Sequence, residues 1–319
     1  MDRVLVTPRS LTETRHPALR RLREAGFDVV CSTPGVLPGT QELIRLLPGC
    51  VGWLAGVEPV SPAVIGAADE LRVISRNGVG VDNLPLELLR ERGIAVAVAE
   101  GANAPGVAEL TIGLMLAALR RIPQTDAGVK AGGWPRLKGA EIRGRTVGVV
   151  GCGAVGSEVA RLAGALGARV IACDPARPAV DTVPESFRWV SLETLLAEAQ
   201  IVTLHCPPSN GPALIDRAAL SSMRAGAILV NTARASLVEE AALVEALAQD
   251  RLAVYATDVH AEEPPGSLAL VALPNVIATS HIGGYTQESV DRAATIAVDN
   301  LIELLGCYHR RGAKPGRSP

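Results

Sequence analysis

Short apolar runs alternate with amphipathic stretches along most of the chain. Residues 4–6, 28–30, 51–54, 72–75 and 94–98 have strand length and favour β-branched side chains. Between them, 17–25, 41–47, 62–68 and 85–92 carry apolar residues at helical spacing, often with Pro at the start and Gly near the end. The alternation resumes later, with strands expected at 147–150, 169–173, 201–204, 227–230, 253–257 and 276–278. Helices are expected there at 192–199, 217–221 and 237–249. Such a pattern predicts parallel sheets covered by helices on both faces. Joining the two series are a small-residue hinge candidate at 101–105, an Ala/Leu-rich helix at 107–119 and a more polar helix at 124–130. An irregular connector follows. The last helix, 287–305, is apolar on one face, and the basic tail 309–319 is expected to be disordered.

The stretch 146–174 organises the second series. An apolar strand enters Gly151-x-Gly153-x-x-Gly156, then Val155, Val159, Leu162 and Leu166 recur at helical spacing. A second strand ends in Asp174, about 20 residues after the glycines. Gly151 permits a tight turn, Gly153 lets backbone approach a pyrophosphate, and Gly156 lets helix pack on strand. The helix N-terminus at Ala154 and Val155 offers N–H groups to phosphates, and Asp174 accepts from a ribose diol. Strand, glycine turn, helix, strand and acid together predict dinucleotide binding, the alternative being a structural glycine turn in another α/β domain.

Composition narrows the setting. A length of 319 residues suggests two domains. Lys+Arg 31 against Asp+Glu 33 leaves no field that would favour nucleic acid or an anionic membrane. The six cysteines form no CxxC pair, so reduced thiols in a cytoplasmic protein are expected. The chain enters a strand at once, which argues against a signal peptide. No apolar run reaches the ~18 residues of a membrane span, and His205 and His260 stand alone without metal-ligand spacing.

Three further stretches follow strand ends, where open α/β sheets bind ligands: 231–234, 258–264 and 281–284. They supply Arg234, Glu263 and His281. Alone, each has a bland reading as surface ion pair, loop acid or cap. Together beside a dinucleotide turn they suggest one crevice.

In combination the chain resembles the D-isomer-specific 2-hydroxyacid dehydrogenases up to about Leu305. The matching pieces are NGVGVDNL (77–84), VGCGAVGSEVA (150–160), TLHCPPS (203–209), LVNTARASLVEEAAL (229–243), DVHAEEPP (258–265) and SHIGG (280–284). Phosphoglycerate-dehydrogenase-like and glyoxylate/hydroxypyruvate-reductase-like members are the nearest in character. The resemblance implies that Arg234 grips a substrate carboxylate and carbonyl, His281 is the acid/base, and Glu263 holds His281, with Glu262 a lesser competitor. It places Gly151, Gly153, Ala154, Val155, Gly156, Asp174, His205, Cys206, Pro207, Thr232, Ala233, Arg234, Asp258, His281 and Gly283 at the cofactor. Asp258 lies near the carboxamide, and Cys206-Pro207 flank the adenine. Arg76, Gly78, Val79 and Gly80 join Arg234 and His281 at the substrate.

The resemblance also implies two Rossmann-like, doubly wound domains with a cleft between them. Residues 1–101 with 286–319 form a discontinuous, flavodoxin-like substrate domain, and 102–285 the NAD domain. A homodimer through helices near 105–131 is expected. The activity implied is NAD(H)-dependent interconversion of a small D-2-hydroxy acid and its 2-keto acid, of the 3-phosphoglycerate, glycerate or glycolate class. Departures matter. Ala55 stands where many phosphoglycerate-oxidising relatives carry an Arg, leaving Arg76, with Arg136 from a second subunit, as candidates for a distal phosphate. The rivals are a non-catalytic NAD(H)-sensing corepressor or scaffold, which has no need of a proton relay, and a formate- or phosphite-oxidising relative. Formate enzymes have Gln where Glu263 stands, and phosphite enzymes a Lys in the first glycine loop.

Overall fold

The computed structural model describes residues 1–14, 16–180, 187–208 and 211–312. Two compact units divide the chain: Met1–Asn103 together with the residues from Gln287 onward, and Ala104–Thr286. In the first, strands β1 (Arg3–Val6), β2 (Asp28–Cys31), β3 (Cys50–Ala55), β4 (Val73–Arg76) and β5 (Ala95–Val98) alternate with helices. These are α1 (Arg9–Thr14), α2 (Ala18–Glu24), α3 (Thr40–Leu46), α4 (Pro62–Gly66) and α5 (Leu86–Glu91). The strands pair in parallel in the order β2-β1-β3-β4-β5. Central β3, CVGWLA, is buried at every position, as expected for a strand covered on both faces.

The second unit opens with α6 (Ala104–Arg120) and α7 (Ile122–Lys130). Then come β6 (Thr146–Val150), α8 (Ala154–Ala165), β7 (Arg169–Cys173), β8 (Arg188–Trp189), α9 (Leu192–Glu198) and β9 (Ile201–Leu204). The series ends with α10 (Arg217–Ser222), β10 (Ala227–Asn231), α11 (Glu240–Ala248), β11 (Leu252–Thr257) and β12 (Val276–Ala278). All seven strands are parallel, in the order β12-β11-β10-β9-β6-β7-β8. The winding reverses between β6 and β9, where such sheets open a crevice at their carboxyl edge. Ala108, Leu114, Met115 and Ala118 of α6 pack with Val159, Ala160 and Ala163 of α8 over one face of the sheet.

Helix α12 (Gln287–Gly312) returns to the first unit. Ala294, Ala297, Val298, Leu301 and Leu305 complete the core beside Val4, Val51 and Leu54. A Cβ at Gly52 would lie 2.9 Å from Leu305 Cδ1, so the helix rides directly on β3.

Four local expectations are corrected. α6 begins at Ala104 rather than at 107, so Pro105 sits in its first turn, a position where its missing N–H costs nothing. The single helix expected at 237–249 is a short 3₁₀ turn, Ala235–Leu237, followed by α11. Val238 between them is extended and bridges Ile215. Strand β8, only two residues long, and helix α1 were not anticipated. Residues 309–312 continue α12 instead of being disordered, while 313–319 lie outside the described residues, as does Ser209 of the TLHCPPS stretch.

Candidate active site

One row of register-matched residues crosses the second sheet at its carboxyl edge. Ala278 pairs with Thr257, Thr257 with Asn231, Asn231 with Leu204, Leu204 with Val150, and Val150 with Cys173. The next residues along the six strands are Thr279, Asp258, Thr232, His205, Gly151 and Asp174. The stretches singled out in the second half of the sequence therefore leave the sheet side by side.

At the β6 end, Gly151 has φ +85°, and a Cβ there would lie 2.6 Å from Cys206 N and 2.7 Å from the His205 carbonyl carbon. A Cβ at Gly156 would lie 1.9 Å from Gly151 O. Both glycines are required by packing against backbone. Gly153 differs, because nothing lies within 4 Å of the Cβ it lacks. It is the N-cap of α8, with no side-chain cap, so the first-turn N–H groups of Ala154, Val155 and Gly156 face the open space beside it. That combination of bare backbone and a positive helix end fits a pyrophosphate.

Asp174 sits across the turn. Its Oδ2 accepts the Cys152 N–H and its Oδ1 the Ala176 N–H, each at 2.8 Å. Burial, with the nearby Asp174 charge second, pushes the Cys152 thiol up to about 12. The Cys173 and Cys206 thiols are raised chiefly by burial as well. Protonated thiols thus give this side of the turn a neutral lining, while Pro207 is exposed. Burial drives His205 down to about 3, so its ring is neutral, with Nε2 2.9 Å from Thr203 Oγ1 and a buried Nδ1 lacking a partner among the described residues.

At the β10 end, buried Asn231 shapes the next turn. Its Oδ1 accepts the Ala233 N–H (3.1 Å) and its Nδ2 donates to Arg234 O (2.8 Å). The Thr232 hydroxyl meets that of Thr111 from α6 at 2.9 Å. Arg234 is extended (φ −146°, ψ 140°), partly buried, and donates from Nη1 to Ala233 O at 2.7 Å.

The β11 and β12 ends are bound to each other. Asp258, 2% exposed, accepts the Thr279 hydroxyl (2.5 Å) and Ile282 N–H (2.9 Å) on Oδ1 and the Gly283 N–H (2.8 Å) on Oδ2. His281, at φ +56°, points Nδ1 at Glu263, 2.9 Å from Oε1 and 2.8 Å from Oε2. Because a carboxylate only accepts, Nδ1 carries the hydrogen of this bond. Glu262 does not share this contact, since its carboxylate lies against Gly266.

The first unit carries Arg76, Gly78, Val79 and Gly80 by itself. Gly78 has φ +151°. The N–H groups of Val79 and Gly80 have no partner among the described residues. Arg76 is 6% exposed and donates from Nε to Gly80 O (2.8 Å) and from Nη1 to Ala55 O (3.5 Å). Asn83 Nδ2 ties the same loop to Glu58 O at 2.6 Å. Glu58, fully buried, accepts the Gly56 N–H and is in contact with the Thr7 hydroxyl.

Residues 112–283 match the family model of the D-isomer-specific 2-hydroxyacid dehydrogenase NAD-binding domain. The chain belongs to the D-isomer-specific 2-hydroxyacid dehydrogenases. These are NAD-dependent oxidoreductases of 2-hydroxy and 2-keto acids. Among relatives of this dehydrogenase, a hydroxypyruvate reductase of Thermotoga maritima is 38% identical over 272 residues, covering 83% of this chain and 88% of that protein. A D-3-phosphoglycerate dehydrogenase of Archaeoglobus fulgidus is 38% identical over 292 residues, 90% of this chain. This chain spans only 55% of that longer enzyme. The solved structure of the TT0316 protein from Thermus thermophilus superposes with a TM-score of 0.84 at 38% identity, covering 96% of this chain and 97% of that one.

Several contacts of this dehydrogenase escape sequence reading. Asn231, Thr111, Thr279, Asn83 and His260 each act over a turn or across strands, through bonds that no local pattern announces. Asn231 and His260 lay in stretches at strand ends and Asn83 in NGVGVDNL, but nothing there marked their partners. Among the described residues, no group of three or more His, Cys, Asp or Glu is placed to hold a metal ion. No helix there is long and apolar enough to cross a membrane.

Proposed function

We propose that this dehydrogenase interconverts short D-2-hydroxy acids and 2-keto acids of two to four carbons with NAD(H), at the carboxyl edge of the second unit's sheet. The row that launches the glycine turn from β6 and the His281–Glu263 pair from neighbouring β12 and β11 at the same edge of one sheet carries this reading. NAD(H) would supply the hydride chemistry. Gly151, Gly153, Gly156 and the first turn of α8 would hold its phosphates and Asp174 its ribose diol, with Cys206 and Pro207 at the adenine. Thr232 and Ala233 would line the nicotinamide end.

Arg234 would orient the substrate carboxylate and carbonyl with its planar fork. His281 would give its Nε2 proton to the carbonyl oxygen during reduction and remove it during oxidation. Glu263 would keep the ring oriented by accepting its Nδ1 hydrogen. Asp258, with three donors on its carboxylate, would hold the His281 turn beside the carboxamide. In the first unit, taken by itself, the Val79 and Gly80 N–H groups are the donors we assign to substrate. Arg76 is assigned to fixing their loop.

A homodimer fits the surface of the second unit. α7 buries none of its residues, and Ile122, Val129 and Leu137 are exposed with Trp134, which is 81% exposed. The six free cysteines suit the reducing cytoplasm. The test is consumption of NADH with glyoxylate, hydroxypyruvate, 3-phosphohydroxypyruvate, pyruvate and phenylpyruvate. Turnover of the short acids with phenylpyruvate poor is expected; no turnover of any short acid would overturn the proposal.

A further inference from the structure

We propose that His260 is a positioning residue for His281, acting through the Thr279 carbonyl and through Glu263. The inference rests on the reading of His281 as the proton-transfer group. His281 adopts a left-handed conformation, φ +56°, which a side-chain-bearing residue keeps only where its surroundings over-determine it. The turn that carries it is held from one side by residues 257–263. Thr279 N–H bonds Thr257 O (2.9 Å), its hydroxyl bonds Asp258 Oδ1 (2.5 Å), and the Ile282 and Gly283 N–H groups bond the same carboxylate. The Thr279 carbonyl, two residues before His281, is met by His260 Nε2 at 2.8 Å. A carbonyl only accepts, so Nε2 bears the hydrogen. His260 also donates its backbone N–H to Glu263 Oε1 at 3.2 Å, the oxygen that lies 2.9 Å from His281 Nδ1. One residue therefore touches the supports on both sides of the imidazole: the backbone that sets its direction and the carboxylate that receives its Nδ1 hydrogen.

His260→Phe keeps a ring but removes the donor, whereas His260→Gln keeps an N–H near the place of Nε2. For His260→Phe we expect kcat for keto-acid reduction to fall roughly tenfold, as slight misplacement of a catalytic group does. Its pH profile should change with kcat, and NADH affinity should stay within about twofold because the glycine turn is untouched. His260→Gln should restore kcat and pH profile to within about threefold of the parent. Should His260→Phe fail to fold, His260→Asn, whose amide is too short to reach the carbonyl, is read in the same way. An unaltered kcat and pH profile without the donor would overturn the proposal, and so would equal impairment of the Gln and Phe variants. His281→Ala run in parallel separates the two ideas. If it stays active, the reading of His281 fails; if it is inactive while His260→Phe behaves as the parent, only the role of His260 fails.

Discussion

Asp174 Oδ2 accepts the Cys152 N–H at 2.8 Å, so the acid that ends β7 braces the glycine turn it faces. A carboxylate oxygen accepts more than one bond, which leaves acceptor capacity for a ribose diol. A 2′-phosphate would meet the same negative charge. Exposed Arg177, at φ +43° in the following turn, can offset part of that repulsion. The expected preference for NADH over NADPH is about 10- to 100-fold in kcat/KM, rather than strict exclusion. Equal use of the two, or a preference for NADPH, would remove Asp174 from the cofactor's ribose.

The glycines of the turn should separate into two kinds. Gly153→Ala has room for its methyl group in the protein and should melt with the parent, yet lose NADH affinity tenfold or more. Gly156→Ala pushes a methyl to 1.9 Å from Gly151 O and should lower the melting temperature itself, by several degrees for a loss of about 1–3 kcal/mol. Calorimetry with and without NADH distinguishes them. A Gly153→Ala variant that binds NADH normally would contradict the assignment of the open space to the pyrophosphate.

Much of this was legible in the sequence because parallel strands covered on both faces read as short apolar runs. Every strand but β8 lies within a residue of where hydrophobic patterning puts it, and β8 has two residues and no period to detect. Arg234, Glu263 and His281 could be named because each follows a strand end. What ties them down could not. Whether Glu262 or Glu263 meets His281 depends on how a loop folds, and the Thr111–Thr232 bond joins residues 121 positions apart. At Arg76 the glycine loop beside it suggests an anion, and the fold adds bonds that no local pattern announces, to Gly80 O in that loop and to Ala55 O at the end of β3.

Arg76→Ala therefore bears on substrate class. Removing a donor from Gly80 O and Ala55 O should loosen the loop and cost glyoxylate and 3-phosphohydroxypyruvate alike, roughly tenfold in kcat/KM. A loss confined to the phosphorylated acid would mean that the guanidinium reads a distal phosphate after all.

His205 links the fold to pH. Its ring titrates near 3 when folded because of burial, against 6.5 when unfolded. Between those values the unfolded chain binds the extra proton, so the stability tied to the neutral ring is complete above about 6.5 and is lost as pH falls toward 3. His205→Gln should flatten the decline of the urea midpoint between pH 7 and pH 4. Parallel declines in the two proteins would show that His205 is not held neutral.

The central claim is that His281, held by Glu263, moves the proton. Glu263→Gln withdraws the carboxylate that orients the ring through Nδ1, so kcat for keto-acid reduction should fall. The most direct measurement is kcat for keto-acid reduction by His281→Ala, with NADH affinity determined on the same preparation. The account predicts a fall of about 10²- to 10⁴-fold with NADH binding largely retained. Reduction at near the parent rate would contradict it.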